Sequence, residues 1–136
     1  MDPAFRSSAA KVCSEALAAK RAQGAFPFPS FNPTKPDLSR LPAIGRFEAR
    51  TVTIYRRWLG GMQALGEPSR GRSEWRALVT ALHDNLVTIA QQQRAGIDSD
   101  GKTFTKDYFQ GNAIQKTLED HSAAAGLKTC AQAAAA

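Results

Sequence analysis

Four stretches of the chain place apolar residues every three or four positions, the period of a helix with one buried face. In the first, over residues 9–21, Val12, Cys13, Ala16, Leu17 and Lys20 share one side. Ser7 or Ser8 stands where a cap would start it, and Gly24 where a glycine would end it. The second covers 44–65, with Ile44, Phe47, Thr51, Tyr55, Trp58, Leu59 and Met62 on the stripe and Val52 beside it. Gly60-Gly61 interrupts that stripe and predicts a kink, an early end or close helix packing. The third covers 73–94, its stripe formed by Trp75, Leu78, Val79, Leu82, Leu86, Ile89, Ala90 and Gln93, with Gly96 as its stop. The fourth covers 104–125, with Phe104, Tyr108, Gly111, Ile114, Leu118 and His121 on one face and Gly126 after it. No segment alternates with the two-residue period of a strand, and no internal repeat occurs.

Residues 25–43 break this pattern. Pro27, Pro29, Pro33, Pro36 and Pro42 fall there, and proline at that density cannot continue a helix. Phe26, Phe28 and Phe31 alternate with the prolines. Three phenylalanines in one connector predict a segment laid across the helices with its rings buried, rather than a free proline-rich arm. The turns at 66–71 and 97–103 are short, which makes the helices they join antiparallel neighbours. The expected fold is therefore all-α, an antiparallel up-down four-helix bundle with a Phe/Pro-rich connector between helices one and two.

A length of 136 residues fits one domain. The folded part is expected over 9–131. Met1-Asp2-Pro3-Ala4-Phe5-Arg6-Ser7-Ser8 reads as residues left by cloning, so 1–8 is expected to be a tail, and the alanines of 132–136 a disordered or linker tail. Apolar residues at 43% and charged residues at 22% exclude a disordered polyelectrolyte. The net charge of +6 is uneven: residues 40–76 hold eight arginines against three glutamates. Arg46, Arg50 and Arg57 share a face of the second helix, with Arg56 adjacent. Such a face suits an acidic protein, anionic lipid headgroups or nucleic acid.

The two cysteines, Cys13 and Cys130, stand at opposite ends of the helical region. In an up-down bundle the start of the first helix and the end of the fourth lie at the same end, so the pair is expected to form a disulfide. That bond persists outside the cytosol. A Cys-x-x-Cys spacing is absent, which removes the usual signature of a redox centre or zinc ribbon.

The Val-Cys of the Ala-rich first helix, the connector leading into Pro36-Asp37-Leu38, the Leu65-x-x-Pro68 turn and the ending Gly126-Leu127-Lys128-Thr129-Cys130 occur together over residues 10–131. In these features the chain resembles small exported or lipid-anchored helical proteins of actinobacteria. That resemblance implies a place in the cell envelope or outside it. It carries over no functional residue.

Candidate chemistry is sparse. His83 and His121 have no partner at metal-ligand spacing. Asp98-Ser99-Asp100-Gly101 with Asp107 matches part of a calcium loop, but Gly96 occupies the first ligand position, and the residues also suit an ordinary cap. No nucleophile elbow or phosphate loop occurs, so no catalytic residue, metal or cofactor is assigned. Tyr55, Trp58, Trp75 and Phe104 are the candidate lining of an interhelical apolar pocket. The expected function is a non-enzymatic extracytoplasmic binding or interaction module, secreted or envelope-associated, meeting a protein or an anionic membrane surface through Arg46, Arg50, Arg56 and Arg57. The alternatives are a small-molecule carrier or sensor and, behind it, a basic nucleic-acid-associated bundle.

Overall fold

The structure is a computed structural model and describes residues 1–136. It is all-helical: α1 Pro3–Gln23, α2 Leu41–Ala64, α3 Arg72–Ile97, α4 Gly101–Ala124 and α5 Lys128–Ala135. No strand is present.

Each helix begins and ends for a local reason. Asp2 accepts a hydrogen bond from the Phe5 amide through Oδ1 (2.9 Å), and Pro3 occupies the first turn, where its missing N–H leaves nothing unpaired. This pair starts α1 two turns before the expected serine cap. Residues 3–8 are thus helix, not a tail, and Phe5 packs edge-on against Trp75 with ring centroids 4.7 Å apart. Gly24 ends α1 at a φ of +84°. Pro42 likewise lies in the first turn of α2, so this helix starts at Leu41 rather than 44. Asp100 Oδ1 accepts from the Thr103 amide and starts α4.

The contacts fix how the helices run. Val12 meets Gly61, Cys13 meets Met62 and Lys20 meets Tyr55, so α1 and α2 are antiparallel. The start of α2 crosses the end of α3 at Gly45 and Gly96, where a Cβ on Gly96 would stand 3.0 Å from the Gly45 Cα. That crossing is why Gly96 does not stop α3: it permits contact between the two backbones and the helix runs on to Ile97. Gly60-Gly61 also lies within unbroken helix. A Cβ on Gly61 would meet the Val12 side chain at 2.8 Å, so close packing is the correct one of the three expectations there.

The packing departs from four helices. Contacts run from each helix to the next, and α1 is closed against α5. Residues 132–136 were expected to be a tail, yet Ala133 and Ala134 are fully buried in α5. Alanine is the strongest helix former, and its small side chain allows α5 close against its neighbours. The main core gathers Leu17, Trp58, Met62, Leu78, Leu82, Leu118 and Leu127 around Cys13 and Cys130. A second cluster holds Leu41, Ile44, Ala95 and Phe104. The connector lies across it as expected, though Phe26, Phe28 and Phe31 are only partly buried: Phe31 packs against Phe104 at 5.6 Å and Phe26 against Phe47 at 5.8 Å, while Thr105 Oγ1 donates to the Pro33 carbonyl.

Cys13 and Cys130 form the disulfide, with Cα atoms 4.9 Å apart and a sequence separation of 117. Trp58 Nε1 points at Cys13 Sγ from 3.3 Å, and both cysteines are fully buried. Replacing both with alanine is expected to lower unfolding free energy by about 2–5 kcal/mol, read from urea denaturation. The glycine crossing makes a second prediction. Gly96→Ala forces the α2 and α3 backbones apart and costs about 1–3 kcal/mol. Gly60→Ala, where an added Cβ meets nothing within 4 Å, stabilises by about 0.5–1 kcal/mol. Equal urea midpoints for these two variants would contradict the crossing.

Candidate functional site: a polar cleft between the helices

The third helix shows where the apolar pattern gives way. Its first half buries Trp75, Leu78 and Leu82 as the stripe predicts. Its second half buries Asn85, Thr88 and Gln92, while Leu86 and Ile89 are only partly covered and Val87 is exposed. Buried amides on a helix face point to a polar space opposite, and one is present. A cleft of about 500 Å³ opens among α1, α2, α3, α4 and the connector. That size lies within the usual range for small-molecule sites.

Among its side chains the cleft holds one cation, Lys20, and one anion, Glu48. On α1, Lys20 Nζ donates to Tyr55 Oη (3.2 Å) and to the carbonyls of Ala133 (2.7 Å) and Ala134 (3.4 Å). It thereby caps the last turn of α5, whose final carbonyls have no helical partner. Burial lowers the Lys20 pKa to about 8, opposed by the attraction of Glu48. Glu48 projects from α2 into the same space, and burial raises its pKa to about 7, opposed by Lys20. The two charges form no ion pair within 4 Å. Tyr55 is almost fully buried, and its hydroxyl pKa is pushed up by burial and then by the Glu48 charge.

Other polar groups complete the lining. Gln23 Nε2 donates to the Phe47 carbonyl and to Thr51 Oγ1, both at 2.9 Å, tying the end of α1 to α2. Asn85 is 2% exposed and its Nδ2 has no acceptor in the protein. An orphaned buried donor costs about 1–3 kcal/mol, so a ligand or water acceptor there has a free-energy gain waiting. Phe26, Phe31 and Phe47 supply apolar wall.

The four aromatic residues expected to line one pocket do not share one. Tyr55 lines the cleft. Trp58, its neighbour at 5.3 Å, is core and touches a separate groove between α1 and α2. Trp75 is packed under Phe5, and Phe104 is enclosed in the second core cluster, so neither lines the cleft. Sequence reasoning missed Glu48, Gln23, Asn85 and Gln92. Glu48 had a visible signal, since it falls four residues after Ile44 and seven before Tyr55, on their face.

The remaining candidates are dispersed. Arg46, Arg50, Arg56 and Arg57 are all exposed, and none joins an ion pair; Arg50 lies over the Phe47 ring at 5.7 Å. Asp98 and Asp100 serve the ends of α3 and α4. Asp107 is buried in α4 with Oδ2 unpartnered, and burial raises its pKa. No three His, Cys, Asp or Glu side chains converge to hold a metal. His83 is exposed beside Asp84, and His121 is half-buried.

The chain is thus an all-helical, disulfide-stapled domain with a polar cleft that holds Lys20 and Glu48. No protein-family model, curated protein or solved structure matches it, so its residues alone carry the functional reading.

Glu48 makes stability depend on pH in a defined direction. Its native pKa lies above the unfolded value of 4.5, so the native state holds the extra proton between about pH 4.5 and 7. Stability from this group is present at low pH and is lost as pH rises through 7. Glu48→Gln removes that loss. The variant is expected to match the parent at pH 5 and exceed it at pH 8, where ionised Glu48 is buried, by about 1–2 kcal/mol. Urea midpoints at the two pH values decide it, and an equal difference at both would place Glu48 outside the buried cleft.

Proposed function

We propose that this protein is a non-enzymatic binding module working outside the cytosol, an antiparallel four-helix bundle sealed by α5, whose polar cleft takes a small molecule. The observation that carries the reading is the cleft itself. Glu48 without a partner cation and Asn85 without an acceptor are costly inside a fold of this size. A bound molecule that pairs with them offsets that cost. This is the carrier or sensor reading, moved from the aromatic residues to the cleft. The Cys13–Cys130 disulfide supports a place in the cell envelope or in secretion, because such bonds persist in oxidising compartments. The resemblance to exported actinobacterial helical proteins supports the same place.

A second contact surface is favoured by one observation. Arg46, Arg50, Arg56 and Arg57 are exposed on α2, and the only carboxylate of that helix, Glu48, belongs to the cleft. A free cationic face of this kind suits an acidic protein or an anionic membrane surface. Nucleic acid ranks behind both, because an extracytoplasmic place separates it from the chromosome.

The cleft is tested by filling it. Gly111 lies on the cleft wall, and a Cβ there meets only Thr88 and Gln92 at ordinary contact distances. In a ligand-observed NMR screen of polar fragments, the parent is expected to yield competing hits. Gly111→Trp, shown by circular dichroism to be folded, is expected to lose them. Retention of the same hits by the filled variant would remove the cleft as the binding site and leave the arginine face.

A further inference from the structure

The cleft's hydrogen-bonding groups divide into those the protein already satisfies and those it does not. The three hydrogens of the Lys20 ammonium face three acceptors, Tyr55 Oη and the carbonyls of Ala133 and Ala134. Both N–H groups of Gln23 are taken by Phe47 and Thr51. Around Lys20 three groups are left over, and Gln92, Asn112 and Gln115 add further amides to the lining. The Glu48 carboxylate has no cation within ion-pair distance. Asn85 Nδ2 is buried without an acceptor. The Tyr55 hydroxyl accepts from Lys20 while its own hydrogen has no acceptor in the protein.

These leftovers discriminate among ligand classes. A simple anion would answer Asn85 and Tyr55 but meet the Glu48 carboxylate. A simple amine would answer Glu48 but leave Asn85 unpaired and feel the Lys20 charge. A neutral sugar donates hydroxyls to Glu48 but brings no positive charge to it. A molecule with an ammonium at one end and a carboxylate at the other answers all three, and the phenylalanines beside Glu48 offer apolar surface to the rest of it.

Resting on the small-molecule reading of this cleft, we propose that its ligand is a zwitterionic α-amino acid with an apolar side chain. The ammonium faces Glu48. The carboxylate meets Asn85 Nδ2 and the Tyr55 hydroxyl, in the field of Lys20. The side chain lies against Phe26 and Phe47.

The test titrates the full, disulfide-intact chain at pH 7.5 by calorimetry and amide NMR. The probes are the twenty L-amino acids, N-acetyl-leucine, leucine methyl ester, the doubly blocked N-acetyl-leucine methyl ester, and glucose. At least one apolar amino acid is expected to saturate with a Kd below about 1 mM, shifting amides around the cleft. Blocking either end is expected to weaken binding at least about ten-fold. Glu48→Gln and Asn85→Leu are expected to do the same, and Arg94→Gln, at an exposed position of α3 outside the cleft lining, to change nothing. If either cleft variant fails to fold, the blocked ligands still decide, since they use the parent protein. No saturation by any of the twenty at about 10 mM, or equal binding of free and blocked leucine, overturns the proposal. Should glucose or the doubly blocked ester shift the cleft instead, only the ligand class falls. Should no probe and no fragment shift it, the cleft reading falls too.

Discussion

Lys20 is the side chain on which the two ends of this fold meet. An eight-residue helix such as α5 is marginal by itself, and its last carbonyls have no partner within it. Lys20 reaches them from α1, and the same ammonium contacts Tyr55 on α2. One charge therefore joins three helices. It also sets the chemistry beside it, because a buried ammonium makes a nearby carboxylate tolerable, and Glu48 occupies that neighbourhood. Without Lys20, α5 would lose its cap and Glu48 the one cation whose field reaches it.

The position of Lys20 is itself determined by the disulfide. Cys13 and Lys20 are seven residues apart, two turns along one face of α1, or about 10 Å. Cys130 precedes Ala133 and Ala134 by about one turn of α5. The seam between α1 and α5 is thus held at one point by a covalent bond and at another by the capped carbonyls. The bond fixes the register that brings those carbonyls to Lys20. A disulfide in this place does more than restrict the unfolded chain: it orders one wall of the cleft, which includes Ala136 just after α5.

Much of this fold was legible in the sequence, and the losses have physical causes. The four long helices followed from apolar periodicity, and the disulfide from its place at the two ends of the helical region. The boundaries were drawn short where capping overrode composition. Asp2-Pro3 starts a helix where the sequence reads as a cloning remnant, and Pro42 starts one where proline reads as a breaker. The last helix was missed because its alanines carry no stripe, although alanine is the best helix former. The cleft was hidden for a different reason. Periodicity finds apolar faces, whereas a polar cleft replaces the apolar residues of a buried face with Glu48, Asn85 and Gln92. The aromatic residues chosen for a pocket were drawn into the core by the same apolar character that marked them. Lys20 and Glu48, charged residues on otherwise apolar stripes, were the usable signal.

The arginine face and the cleft are two sides of one helix. Along α2, Ile44, Glu48, Thr51 and Tyr55 follow the inner stripe, while Arg46, Arg50 and Arg57 are exposed on the outer surface. The only acid of α2 is committed inward, so nothing on the helix neutralises its outer arginines. That division has an electrostatic consequence. A zwitterion brings no net charge into the cleft, so its binding leaves the outer field of α2 nearly unchanged. An acidic surface bound to those arginines would act on Glu48 through the thickness of one helix, on the order of 10 Å. On the function proposed above, the two contacts lie on opposite faces of α2, a small ligand within and something larger outside.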